Sequence, residues 1–147
     1  MTLAAADAED LEILSARLQD AVGKLQDFVW LPKQRRFAAL VNRYRWEEGP
    51  KNNGSRVRAG LHFDGVLKVE SRNIKRGAPD AVVDLLAIAF TANAKENPES
   101  EDPGGVIELQ LAGGGAFRLT VECIDAQLSD LTGPWAAIAK PVHDGDL

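Results

Sequence analysis

Residues 106–123 read VIELQLAGGGAFRLTVEC, and this stretch predicts a β-hairpin. Apolar and polar residues alternate on both sides of three consecutive glycines, as is typical of strands with one buried face joined by a tight turn. The apolar positions are Ile107, Leu109 and Leu111 before the glycines and Phe117, Leu119, Val121 and Cys123 after them. Because Cys123 continues this alternation, we expect it to be a small core residue.

After the hairpin, the apolar residues change from alternation to helical spacing. Ile124, Leu128 and Leu131 are spaced as one stripe of a helix, and Gly133 with Pro134 would end it. The pattern predicts a short C-terminal helix over 124–131, with Trp135 packing back onto the domain.

Before the hairpin, the sequence predicts one helix and several strands. Acidic residues begin a helix over 7–19, and its leucines form a single apolar stripe. Residues 21–32 and 36–47 form a predicted strand pair around a turn at 32–35, although both faces of the second strand are partly apolar. Residues 56–70 alternate as a long bent strand or as a hairpin, with bends at Gly60 and Gly65. Residues 81–90 fit either a strand or a helix, and their β-branched residues favour a strand.

These elements together predict a single α+β domain over residues 1–147. We expect an N-terminal helix, about six mostly antiparallel strands in a bent sheet or small barrel, and a C-terminal hairpin with a short helix. That order is similar in layout to the pleckstrin-homology-like superfold. A layout alone predicts no function.

The charge of the chain is distributed unevenly. Residues 33–76 contain twelve Lys and Arg against four Asp and Glu, a net charge of +8, within a protein of net charge −5. The flanking segments are acidic, −4 over residues 1–32 and −9 over residues 77–147. A basic central region indicates a place where an anionic ligand or an acidic protein partner could bind. The acidic whole makes nucleic acid an unlikely partner.

The candidate ligand-binding residues are Arg43, Arg45, Arg56, Arg58 and His62. If the strands that carry them pair, the four guanidinium groups gather on one surface suited to phosphate or carboxylate. The alternative is that these arginines face water or pair with acids of the flanking segments, in which case the basic region is neutralised internally.

The residues exclude most catalytic chemistry. Two histidines and one cysteine give no metal-binding cluster, and neither a nucleophile with an adjacent base nor a phosphate-binding loop is present, so we expect no metal, no cofactor and no catalytic residue. One alternative is a small enzyme acting on an anionic substrate with His62 as acid or base, since Asp64 would share its strand face. A concave pocket would favour that enzyme. Another alternative is a homo-oligomeric scaffold.

The N-terminus lacks the pattern of a signal peptide, and no apolar run is long enough to span a membrane, so we expect a cytoplasmic protein without membrane insertion. A resemblance to a known family is carried by LQDAV (18–22), WLPKQRRFAALVNRYRWE (30–47), GLHFDGVLKVESRNI (60–74), DLLAIAF (84–90) and FRLTVECIDAQLSDLTGPW (117–135). The chain resembles the alphaproteobacterial proteins grouped as domain of unknown function 2948. The resemblance implies a bacterial cytosolic protein and carries over no functional residue. The prediction from the residues is therefore a non-enzymatic binding or adaptor domain.

Overall fold

The computed structural model describes residues 1–45, 56–75, 77–94, 99 and 101–131. These residues form one α-helix and ten β-strands. In chain order the elements are β1 (Thr2–Ala5), α1 (Ala8–Arg17), β2 (Ala21–Lys24), β3 (Phe28–Leu31), β4 (Arg36–Tyr44), β5 (Arg56–Phe63), β6 (Val66–Arg72), β7 (Val82–Ala92), β8 (Gly105–Leu111), β9 (Ala116–Val121) and β10 (Ala126–Asp130). The predicted packing of Trp135 lies outside the described residues.

All ten strands belong to one antiparallel sheet. Its order is β1-β10-β5-β4-β2-β7-β8-β9-β6, and β3 pairs with the first half of β4. The α+β prediction with about six strands is therefore wrong, because the described residues form a β-rich fold with one short helix. The pleckstrin-homology-like layout is wrong with it, since it relied on a C-terminal helix over 124–131.

Two segments account for much of the difference between the predicted and the observed number of strands. Residues 21–32 form two strands, because a 3₁₀ turn at Leu25–Asp27 breaks the run between β2 and β3. Residues 126–130 form β10, which lies between β1 and β5 in the sheet. Ala126 and Leu128 are buried and Gln127 is exposed, so this segment follows a period of two as well as the helical spacing. Backbone pairing on both sides of β10 favours the strand.

The N-terminal helix is confirmed. The side chain of Asp7 caps it by accepting a hydrogen bond from the Asp10 backbone N–H at 2.8 Å. The predicted leucine stripe is buried, and α1 contacts β1 and β7. The hydroxyl of Ser15 accepts a hydrogen bond from the backbone N–H of Ile88 in β7 at 2.9 Å, which fixes the helix on the sheet.

The predicted hairpin around the three glycines is confirmed as β8 and β9. Gly113 and Gly114 have φ angles of +87° and +91°, a conformation that glycine adopts without strain. Strand β9 ends at Val121, so the alternation does not reach Cys123. That cysteine is half-buried, which corrects the prediction of a core residue.

The strand over 82–92 is also confirmed.

The bend at Gly65 bears on whether residues 56–70 form one long bent strand or a hairpin. Gly65 has a φ of +67° and accepts a hydrogen bond from the Glu122 backbone N–H at 3.0 Å. Strands β5 and β6 on either side of it pair with different partners, so they do not form a hairpin.

The side chains of β4 alternate between the inner and the outer face of the sheet. Its inner row is buried and consists of Phe37, Ala39, Val41 and Arg43. Phe28 and Trp30 of β3 pair with that row, so Val29 and Leu31 lie on the outer face. No helix in the described part of the chain is both long enough and apolar enough to cross a bilayer.

Candidate functional site

The two arginine-bearing strands pair with each other, but the pairing separates the arginines. Arg58 pairs with Asn42, and Arg56 pairs with Tyr44 on the outer face of β4 and β5. Arg43 pairs with Val57 on the inner face. Arg45 follows β4 and is half-buried. The four guanidinium groups therefore do not share one face of the sheet, because side chains alternate along each strand.

Arg43 is the charged residue of the core. Its side chain is 0% exposed, and it forms a two-point ion pair with Asp130, with Nε–Oδ1 and Nη2–Oδ2 distances of 2.8 Å each. It also donates from Nη1 to the backbone oxygen of Tyr44 at 3.1 Å. Burial alone would raise the pKa of Asp130. The hydrogen bonds and charge of Arg43, with those of the N-terminal ammonium group 3.4 Å away, outweigh it and lower the pKa.

Several other cations of the basic region pair with acids of the flanking segments. Arg58 Nη2 lies 3.9 Å from Asp27 Oδ2, and Arg35 Nη1 lies 3.0 Å from Glu122 Oε1. Arg56 is exposed and donates to the backbone oxygens of Asp20 and Asn42 at 3.1 and 3.4 Å, with its guanidinium carbon 5.5 Å from the centre of the Tyr44 ring. Arg43, Arg58 and Arg35 thus pair with acids of the flanking segments, as the alternative interpretation of the basic region describes.

A concave site lies on the outer face where β3, β4, β5 and β10 meet. We call it the outer groove, and its volume is about 470 Å³. Its apolar part is formed by Val29, Leu31, Ala38, Leu40 and Gly60. Its polar part is formed by Asp27, Arg36, His62 and Ser129. The groove exists because the floor carries small residues: Ala38 lies beside His62 and Gly60 beside Leu40 in the register, and a Cβ added to Gly60 would meet nothing within 4 Å.

Arg36, His62 and Asp64 form a polar cluster at the groove. Arg36 Nε donates to Asp64 Oδ1 at 2.7 Å, and its Nη2 donates to Oδ2 at 3.4 Å. His62 Nδ1 lies 3.1 Å from Asp64 Oδ2 but is not aligned for a hydrogen bond, so the contact between them is mainly electrostatic. Burial acts to raise the pKa of Asp64, and the hydrogen bond from Arg36, with the charges of Arg36 and His62, reverses this and lowers it.

The sequence predicted that His62 and Asp64 lie together, but it did not predict Arg36 as part of this cluster. Arg56, Arg58 and His62 share a strand face as expected, with Asp64 beside His62. Arg36 was missed as a site residue. Its contact with Asp64 joins residues 28 positions apart, and only the pairing of β4 with β5 brings them together. Within the described residues, no three His, Cys, Asp or Glu side chains are grouped closely enough to hold a metal ion.

Comparison with known proteins gives a family and no activity. The family model described as "Protein of unknown function (DUF2948)" matches residues 1–143. A search of curated proteins finds no match.

Proposed function

The chain belongs to the DUF2948 family, and we propose that it is a non-catalytic binding domain that takes a small ligand with an acidic group in the outer groove. The observation that carries the proposal is the position of Arg36 and His62 in the lining of a concave, mostly apolar groove. We also propose that the protein is bacterial and acts in the cytoplasm of an alphaproteobacterium.

Hydrogen-bond donors that have no partner among the described residues support an acidic ligand. Asp64 accepts from Nε and Nη2 of Arg36, whereas Nη1 of Arg36 and Nε2 of His62 make no hydrogen bond to the described residues. Both side chains line the groove, so a carboxylate or phosphate there could accept from them. Asp64 fixes the guanidinium in place, which reduces the ordering cost of binding.

Within the cluster, Arg36 carries a positive charge and Asp64 a negative one, so Asp64 offsets part of the attraction of Arg36 for an anionic ligand. The apolar lining of Val29, Leu31 and Leu40 favours a ligand with a hydrocarbon body behind its acidic group. A small ligand of this kind fits better than an acidic protein surface, because Arg43, Arg58 and Arg35 already have acidic partners within the chain.

Octanoate and 1-octanol form a matched pair of probes for this proposal. Titration of ¹⁵N-labelled protein should shift the amide signals of Ala38, Gly60 and His62 with octanoate, and 1-octanol should bind more weakly. Arg36→Gln should weaken octanoate binding about 10-fold or more, because one charge-assisted hydrogen bond contributes about 1.5–3 kcal/mol. Arg72→Gln, on an exposed residue of β6, is the control and should leave the affinity unchanged. Equal binding of the two probes, or no effect of Arg36→Gln, would rule out the proposal.

A second candidate function is an enzyme acting on a small anionic substrate with His62 as acid or base. The contact of His62 Nδ1 with Asp64 Oδ2 at 3.1 Å favours it, since a carboxylate beside one ring nitrogen stabilises the imidazolium that a general base forms. NMR spectra of small carboxylic and phosphoric esters incubated with the protein distinguish the two functions. A binding domain returns each compound unchanged, whereas an enzyme converts one of them and loses that activity in His62→Gln.

A further inference from the structure

A second cavity lies on the opposite side of β3 from the outer groove. We call it the inner cavity, and its volume is about 480 Å³. It opens between β3 and β6, and its lining includes Phe28, Trp30, Phe37, Val69, Ser71 and Phe117. Strand β3 supplies both sites, since Phe28 and Trp30 lie on one of its faces and Val29 and Leu31 on the other.

The inner cavity is a gap in the strand pairing. Among the described residues, β3 pairs only with β4, and β6 pairs only with β9. No described strand lies between them, so the side chains that face inward from both strands border open space. A cavity of this volume is in the range of small-molecule sites.

The aromatic rings of the cavity are already arranged as a wall. The rings of Phe28 and Phe117 are nearly parallel, with centroids 5.4 Å apart and planes inclined by 14°. Phe37 packs against Phe117 at 5.2 Å with an inclination of 50°. Phe37 and Phe117 are buried in the core, so their positions are fixed by packing. Rings held in this way offer both stacked and edge-to-face contacts to a flat ligand.

The lining also defines the charge of the ligand. Among the residues that the structure describes, the lining has no Asp, Glu, Lys, Arg or His side chain, and its polar side chains are those of Gln26 and Ser71. An ionised ligand would lose hydration without gaining an opposite charge from these residues, which is costly. We infer that the inner cavity binds an uncharged, flat aromatic molecule, in contact with Phe28, Trp30 and Phe117, at a site separate from the outer groove.

The fluorescent probe N-phenyl-1-naphthylamine tests this inference, because it is uncharged, aromatic and brighter in apolar surroundings. The full chain should enhance and blue-shift its emission with saturation at one probe per chain. Val69→Phe places a ring into the cavity from β6 and should weaken binding at least 10-fold. Leu67→Phe adds the same group at an exposed position of that strand and should leave the affinity unchanged. Arg36→Gln should also leave it unchanged, which separates this site from the outer groove.

Two results would overturn the inference. The first is the absence of saturable enhancement with the wild-type chain. The second is unchanged binding in a folded Val69→Phe variant. Should that variant not fold, nuclear Overhauser effects between the probe and the ring protons of Phe28 and Phe117 in the wild-type chain decide the matter, and their absence would overturn it as well.

Discussion

The guanidinium of Arg43 and the carboxylate of Asp130 form a two-point ion pair inside the protein, with both N–O distances at 2.8 Å. The two residues belong to β4 and β10, which are separated in the sheet by β5. The pair therefore connects strands that make no backbone hydrogen bonds to each other. A buried charge is tolerated only when it is paired, so each residue explains the presence of the other.

Removal of one member of this pair should strongly destabilise the fold. Arg43→Met removes the two-point partner of the largely buried Asp130 and leaves it only the N-terminal ammonium group, 3.4 Å away. The expected loss is about 3–5 kcal/mol in the free energy of unfolding. Urea denaturation followed by circular dichroism measures it. The double variant Arg43→Met with Asp130→Leu should regain most of the loss, because apolar residues of similar volume often replace a buried pair at little cost. A loss below about 1 kcal/mol in the single variant would contradict a structural role for Arg43.

Arg56 should behave in the opposite way. It is exposed and interacts with backbone oxygens and the Tyr44 ring, so Arg56→Gln should cost no more than about 1 kcal/mol. The same urea experiment gives the comparison with Arg43→Met. If both variants lose equal stability, the different burial of the two arginines does not determine their roles.

The contrast between these arginines shows what the sequence could and could not predict. The alternation in β4 was visible, but both of its rows contain apolar residues, so the inner face could not be assigned. Arg43 then looked like an exposed cation, since its partner Asp130 lies 87 positions away. Segment 126–130 was misread for a related reason: Leu128 fits both periods, and only the pairing with β1 and β5 decides between them. Local patterns thus predicted α1 and the β8–β9 hairpin, whereas long-range contacts determined the sheet order and the site.

Asp84 in β7 should reduce stability at neutral pH. Its Oδ1 is buried without a hydrogen bond to the described residues, and burial, together with the charge of Asp20, raises its pKa despite the opposing charge of Arg56. When a carboxyl group has a higher pKa in the folded state than in the unfolded state, the protein loses stability as pH rises above the unfolded pKa. Asp84→Asn should therefore stabilise the protein at pH 7, by about 1 kcal/mol. Melting temperatures at pH 7 and pH 3 check this, and the gain should shrink at the lower pH. A gain that is equal at both pH values would exclude the ionised carboxylate as its cause.

Asp64 should show the opposite dependence on pH. Its pKa is lowered in the folded protein, so it contributes stability above its unfolded pKa of 3.8 and loses it as pH falls through the folded value. Asp64→Asn should lower the melting temperature at pH 6, and the difference should diminish as pH decreases below about 4. If the difference in melting temperature between the two proteins is constant from pH 6 to pH 2, a stabilising charge on Asp64 is excluded.

The same substitution tests the outer groove, because it changes the charge there in the opposite direction from Arg36→Gln. Asp64→Asn removes the negative charge beside Arg36 and His62 and so makes the net charge of the cluster more positive by one. Octanoate binding should therefore tighten, by about 3- to 10-fold, since a gain of about 1 kcal/mol is reasonable for one charge near the surface. Binding of 1-octanol should not change, and this provides the internal control. Titrations of both probes at one pH and salt concentration measure the effect. Weaker octanoate binding in a folded Asp64→Asn protein would mean that the positioning of Arg36 by Asp64 outweighs the change in charge. Equal tightening for both probes would mean that charge plays no part in recognition.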